Sequence, residues 1–372
     1  MKRSFIREIL ESINEETISF AGGLPDDKLF PLEGMQEAAA KAMLNSSNLQ
    51  YSTSGGIMPL REKIAELHTE EGFPTEAENI LITTGSQQGL YAAAKYFEER
   101  QIVIESPSYL GAVNIFRANN MFMLSVPLTQ NGIDIELFAE KFHRAKLTYL
   151  IPDFQNPTGH RHSLENRQQT ADVVYNNRGL IIEDAPYNEL YFDERYPSIS
   201  SMIPDNSIYM GSFSKTLTPG LRIGWVRAKK EIIDRLTAIK ETIDLHTSTV
   251  TQHILYEFLK DDVTYKEHKN MLRREYKAKM EVFANALRKY LPDFEFTNPS
   301  GGMFIYGRLK GVDTYDMIQE CMKEKVVFVP GNQFYNDRDT CDEIRFNFTH
   351  SSPEIIEEGL KRIRNIYESV HV

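Results

Sequence analysis

From about residue 80 onward, short apolar runs rich in β-branched residues alternate with amphipathic stretches, and no other feature constrains the fold of this chain as strongly. Apolar runs without polar interruption suit strands buried on both faces, and amphipathic stretches between them suit crossover helices. The pattern therefore predicts βαβ units and a mostly parallel sheet. Seven strands are expected, at Asn79–Thr84, Gln101–Glu105, Phe122–Pro127, Leu147–Pro152, Gly179–Glu183, Ser207–Gly211 and Leu221–Arg227. Helices are expected at Gln87–Phe97, Leu110–Asn119, Ile135–Ala145 and Leu164–Asn177, with Ser86 and Ser163 standing where N-caps belong. This part reads as α/β, a large doubly wound seven-stranded domain.

After Lys229 the pattern changes. A long charged helix from about Val263 to Leu291 puts Met271, Tyr276, Met280, Phe283 and Leu287 on one side. Strands at Phe294–Thr297, Gly302–Tyr306, Val326–Val329 and Ile344–Asn347, with helices at Tyr315–Lys323 and Pro353–Glu368, make a compact α+β segment. The first 45 residues have no βαβ character and carry Ile6, Ile9, Leu10 and Ile13 at helical spacing. They are expected to pack on the C-terminal part, giving a large domain over 46–265 and a smaller discontinuous one over 1–45 and 266–372.

Charge and cysteine content exclude several classes of function. A net charge of −11 without a long Lys/Arg block argues against nucleic acid or an acidic membrane surface as partner. Cys321 and Cys341 cannot build a disulfide framework or a four-ligand zinc site, and packing is their expected role. Arg7 and Glu8 interrupt the only apolar run that resembles a signal peptide, and no stretch approaches the roughly 18 apolar residues of a membrane helix. A cytoplasmic protein is expected. His160-Arg161-His162 has no carboxylate or cysteine at ligand spacing nearby, so no metal is expected. Arg273, Arg274, Lys277 and Lys279 alternate with Glu275 and Glu281, the pattern of a solvated helix face.

The informative residues stand where expected strands end, which is where open α/β sheets hold ligands. Asn156-Pro157-Thr158-Gly159 follows one strand, Asp184-Ala185-Pro186-Tyr187 the next, and Ser212-Phe213-Ser214-Lys215 a third, with Arg222 seven residues on. Taken singly they read as a turn, a strand-end acid and a surface lysine. In this order they resemble the pyridoxal-phosphate enzymes of fold type I, specifically the class I/II aminotransferases. Phe20-Ala21-Gly22-Gly23-Leu24-Pro25, Tyr51-Ser52-Thr53-Ser54-Gly55, Thr84-Gly85-Ser86-Gln87-Gln88 and Pro152-Asp153-Phe154-Gln155-Asn156 are similar to the 2-aminoadipate and kynurenine aminotransferase branch. The resemblance runs from about Ile18 to the end of the chain.

It implies pyridoxal 5'-phosphate as cofactor and a set of roles. Lys215 resembles the lysine that attaches to the cofactor aldehyde and, once displaced by an incoming amino acid, moves the Cα proton; a depressed pKa suits both tasks. Asp184 resembles the acid that keeps the pyridine nitrogen protonated. Tyr187 and Asn156 resemble the pair that hydrogen-bond the ring oxygen, and Tyr109 the aromatic that stacks on the ring; interior packing is the competing reading for both tyrosines. Gly85, Ser86 and Gln87 would offer backbone N–H groups and a helix dipole to the phosphate, with Ser212, Ser214 and Arg222 adding side-chain donors. Tyr51 would reach the phosphate of a second subunit, which implies a homodimer with shared sites.

The same resemblance places the substrate α-carboxylate on Arg345, for which an internal salt bridge is the alternative. Gly22 and Gly23 would let backbone approach the substrate, and Arg7, in Ile6-Arg7-Glu8-Ile9-Leu10, would meet a distal carboxylate unless it is an ordinary solvated helix charge. The expected activity is transfer of an amino group from an L-amino acid of the 2-aminoadipate, glutamate, aromatic or branched-chain type to a 2-oxo acid such as 2-oxoglutarate. A β-lyase or decarboxylase would use the same electron sink. A ligand-sensing module of a transcription regulator needs a basic DNA-binding domain ahead of this region, and the resemblance begins within the first twenty residues.

Overall fold

The computed structural model describes residues 9, 14, 16–98, 100–336, 338 and 340–370. In chain order its strands are β1 Ile18–Ser19, β2 Ile80–Thr83, β3 Gln101–Ser106, β4 Phe122–Thr129, β5 Gly132–Ile133, β6 Leu147–Leu150 and β7 Leu180–Asp184. They continue with β8 Ser207–Ser212, β9 Gly224–Arg227, β10 Phe294–Phe296, β11 Phe304–Leu309, β12 Val326–Val327, β13 Val329–Pro330 and β14 Glu343–Asn347.

The seven expected strands lie side by side in the order β2-β9-β8-β7-β6-β3-β4, and the two-residue β5 adds an eighth at the β4 edge. Strands β8, β7, β6, β3 and β4 run parallel, whereas β9 is antiparallel to both of its neighbours. Two-sided burial explains the apolar runs. Ile102 and Ile104 face one layer with Leu90, Val113, Phe116 and Leu236, while Val103 between them faces the other with Phe138, Phe142 and Val174. Each fully buried side chain of this size contributes about 1.5–3 kcal/mol. Helix Leu164–Asn176 is capped by Ser163, whose side chain accepts from Asn166 N. Ser86, by contrast, is the first helical residue, and the cap is Gly85 with φ 77° and no side-chain bond.

A second, antiparallel sheet has the order β10-β11-β14-β13, and β1 pairs parallel with β12 beside it. Phe20 is fully buried edge-on to Phe283 at 5.2 Å and Phe346 at 6.1 Å. Its backbone bridges two strands, its N–H donating to Val327 O and its carbonyl accepting from Asn347 N, both at 2.8 Å. The long helix, Asp262–Tyr290, buries Tyr276, Met280, Phe283 and Leu287 as its spacing predicts. Its charged side is less solvated than expected: Arg273 holds Glu189 at 2.9 Å and Lys279 holds Asp26 at 2.8 Å.

The N-terminal segment divides between two surfaces. Residues 18–20 lie beside the second sheet, paired with β12, but helix Leu32–Met43 packs on helix Thr249–Leu259, with Gly34 against the Phe258 ring. Ile9 is buried, while Ile6, Leu10 and Ile13 lie outside the described residues. Among the described residues no helix is long and apolar enough to cross a membrane.

Candidate active site

Strand order reverses between β3 and β6, and the loops that follow the parallel strands open on one edge there. Tyr109 follows β3, Asn156 follows β6, Asp184 ends β7 with Tyr187 beyond it, and Ser212 ends β8 with Lys215 beyond. Register brings a fifth segment to that edge: Gly224 pairs with Ser212 on one side and Thr83 on the other, so Thr84-Gly85-Ser86 emerges beside Ser212.

Asp184 is buried. Its Oδ2 accepts from the Tyr149 hydroxyl at 2.7 Å, and its Oδ1 has no partner among the described residues. Burial pushes its pKa up to about 6, the Tyr149 hydrogen bond opposing and the charge of Glu105 adding to the rise.

Arg345 on β14 is also buried, an expensive setting for a charge. The expected alternative, an internal salt bridge, is not what holds it. Nη1 donates to Asn156 Oδ1 at 2.7 Å, Nη2 donates to Ala21 O, and Nε has no partner among the described residues. The guanidinium lies over the Phe304 ring at 4.4 Å, and Phe334 is 5.1 Å away. Because Asn156 Oδ1 is taken, the Asn156 amide nitrogen is left to donate elsewhere. Asn156 also hydrogen-bonds the buried Tyr187, whose ring is edge-on to Phe304 at 5.8 Å.

Lys215 donates from Nζ to Gly23 O at 2.6 Å. Desolvation first, then the positive fields of Arg345 and Arg222, lower its pKa to about 8. The two ends of the chain therefore meet at this amine, Gly23 and Arg345 arriving from opposite termini.

An anion cradle sits alongside. Gly85, Ser86 and Gln87 open helix Ser86–Tyr96, whose first N–H groups have no acceptor within the helix. A Cβ on Gly85 would lie 2.6 Å from Arg222 Nη2, so glycine is what lets the guanidinium reach this turn, and Arg222 itself takes a left-handed φ of 54°. Ser212 Oγ accepts from Ser214 N at 3.2 Å, closing the opposite wall. Asp244 braces the turn from behind, accepting from Thr84 Oγ1 at 3.0 Å, Gln88 Nε2 at 2.7 Å and Lys240 Nζ at 2.7 Å.

Tyr109 caps helix Leu110–Ala118 and folds its half-buried ring over Gly111. Tyr51 is 79% exposed, edge-on to His246 at 5.7 Å. Gly22 and Gly23 line the segment beside Lys215, and Arg7 lies outside the described residues.

Four contributors escape sequence reasoning. Besides Tyr149 these are Glu105, Gln155 and His162, all fully buried. Gln155 uses all of its bonding capacity: Nε2 donates to Glu105 Oε2 at 3.1 Å and Pro107 O at 2.7 Å, while Oε1 accepts from Thr158 N at 3.0 Å and Oγ1 at 2.7 Å. It thus links the Tyr109 and Asn156 loops. His162 Nε2 lies 3.1 Å from Glu105 Oε1, so the partner of that histidine motif is 57 residues away.

Residues 16–363 match the family model for aminotransferase class I and II. The chain is 37% identical to a 2-aminoadipate transaminase of Thermus thermophilus, over 98% of this chain and 93% of that one. It is 34% identical to aromatic-amino-acid aminotransferase 1 of Thermococcus litoralis, over 98% and 91% respectively. The solved α-aminoadipate aminotransferase of Thermus thermophilus, complexed with N-(5'-phosphopyridoxyl)-L-leucine, superposes with a TM-score of 0.92 at 35% identity, covering 100% of this chain and 96% of that one. Strand-edge constellation, sequence and fold agree, and the chain belongs to the class I and II aminotransferases.

Proposed function

We propose that this pyridoxal-phosphate-dependent aminotransferase takes its amino group from an L-amino acid of the 2-aminoadipate, glutamate, aromatic or branched-chain type. The acceptor is a 2-oxo acid such as 2-oxoglutarate. The observation that carries the reading is Arg345, a buried guanidinium that has, among the described residues, no partner for its Nε and no ion-paired carboxylate, next to the depressed amine of Lys215. A substrate α-carboxylate supplies the missing charge in the planar, forked geometry that arginine prefers.

The residues present fit the cofactor. The unpartnered Asp184 Oδ1 offers an acceptor for the pyridine N–H, and the Gly85–Ser86–Gln87 turn with Ser212, Ser214 and Arg222 offers a phosphate cradle. When bound, pyridoxal 5'-phosphate supplies an aldehyde that takes up amino groups and a ring that withdraws electrons from the substrate Cα. Asp184 holds the proton on the ring nitrogen. The Asn156 amide and the Tyr187 hydroxyl donate to the ring oxygen, and the half-buried Tyr109 covers a ring face. Lys215 carries the proton away from Cα through Nζ, a task its lowered pKa fits near neutral pH.

A homodimer with shared sites, in the cytoplasm, completes the proposal. Leu44, Leu49, Tyr51 and Leu245 expose apolar surface on segments that touch through the Tyr51–His246 contact, and Leu44 is 86% exposed.

A panel of amino donors against 2-oxoglutarate, followed by oxo-acid formation, tests the reading. Arg345→Gln is expected to lower kcat/KM about 100-fold for every donor, from the loss of a charged hydrogen-bonding pair. Arg7→Ala is expected to penalise acidic donors more than leucine or phenylalanine. Failure of every donor to yield an oxo acid in stoichiometric half-reaction overturns it.

A further inference from the structure

Among the buried groups at the site, Tyr149 has no role in the reaction just described. It sits inside β6 with no exposed surface, and its ring is edge-on to Phe116 at 5.5 Å. In an interior strand a phenylalanine would pack as well, yet a hydroxyl is present and directs its proton to one atom, Asp184 Oδ2, at 2.7 Å. The other oxygen of that carboxylate has no partner among the described residues. No lysine, arginine or histidine forms an ion pair with Asp184 among the described residues, so Tyr149 is its sole side-chain donor there.

We propose that Tyr149 is a positioning residue of the reaction: its hydroxyl fixes the Asp184 carboxylate and sets how firmly Oδ1 leaves the proton on the cofactor's ring nitrogen. The inference rests on the assignment of Asp184 given above. A donated hydrogen bond stabilises the ionised carboxylate and lowers its basicity. The remaining groups near the acid all work in the opposite direction or are neutral. Glu105, on β3, adds negative field, and the buried Tyr187 lies close by, its phenol pushed toward the neutral form by burial. Burial already lifts the Asp184 pKa to about 6, so removal of its donor leaves a carboxylate basic enough to draw the proton off the ring. A ring nitrogen with less proton would withdraw fewer electrons, which would raise the proton affinity of Lys215 Nζ in the loaded enzyme.

Tyr149→Phe keeps the ring and its contact with Phe116, so the fold is retained while the hydroxyl is lost. The expected result for the purified holoenzyme is an upward move of about one pH unit in the midpoint of the cofactor's visible absorption band, a tenfold change in proton affinity. The apo protein is expected to bind pyridoxal phosphate about tenfold more weakly, and kcat to fall while KM for the amino donor holds within about threefold. Phe116→Leu loosens the same packing without touching the hydroxyl, and is expected to lower the melting temperature with the midpoint unmoved. A Tyr149→Phe midpoint and affinity equal to wild type overturn the inference, as does an equal midpoint shift in Phe116→Leu. A wild-type chain that binds no pyridoxal phosphate overturns the aminotransferase reading itself, so the two failures are distinguishable.

Discussion

Lys215, Asp184 and Arg345 show how a site is tuned by what surrounds it more than by which residues it contains. Burial pushes each of the three toward its uncharged form; two arginines add to the effect at the lysine and another acid adds to it at Asp184, whereas three tyrosines oppose it at Arg345. Such placement costs stability and is offset when ligands bring the missing charges. A pH prediction follows for the lysine. Below its pKa of about 8 the amine of the apo protein is protonated and cannot attack an aldehyde; above it the free amine predominates. The rate of pyridoxal phosphate attachment, followed by its absorbance, is therefore expected to rise with pH and level off above about 8. An ordinary lysine would still be gaining at pH 10, near its reference pKa of about 10.4.

At the scale of elements, the strands of the large sheet are legible in the sequence because burial on both faces leaves an unbroken apolar signature. The eighth strand is not, since Gly132–Ile133 is two residues long and carries no period. Ser86 reads as a cap from its residue type, but the chain enters that helix through Gly85 at positive φ, a geometry that leaves no side chain to do the capping. Asp184 and Lys215 can be found because each stands at or just beyond a strand end, and Arg222 because it lies seven residues after Lys215. Tyr149 and Glu105 cannot, because a tyrosine or an acid within an apolar strand gives no sign of a partner lying 35 or 46 residues away. The cradle turn yields its own prediction. Gly85→Ala adds a Cβ 2.6 Å from Arg222 Nη2 at a φ that disfavours alanine, so it is expected to cost about 1–2 kcal/mol in thermal or urea unfolding. Pyridoxal phosphate affinity is expected to fall at least tenfold with it, measured by titration of the apo protein.

For the molecule as a whole, the exposed apolar surface at Leu44, Leu49, Tyr51 and Leu245 is what the proposed dimer rests on. Leu44→Asp with Leu49→Asp is expected to convert a dimer to monomer in sedimentation, and to weaken cofactor binding if Tyr51 reaches a second subunit's phosphate; a wild-type monomer would remove the shared-site proposal. The same scale governs how the site is assembled in time. Residues 18–23 contribute β1, the strap across β12 and β14, and the carbonyl that receives Lys215, yet their partners lie as far along the chain as Arg345 and Asn347. On the ribosome the cradle beside β8 and β9 can form while the segment at 18–23 still has nothing to dock against. Competence therefore arrives late in translation, after β14 has left the exit tunnel, and a message cut short before Arg345 would yield a polypeptide without the guanidinium that faces Lys215.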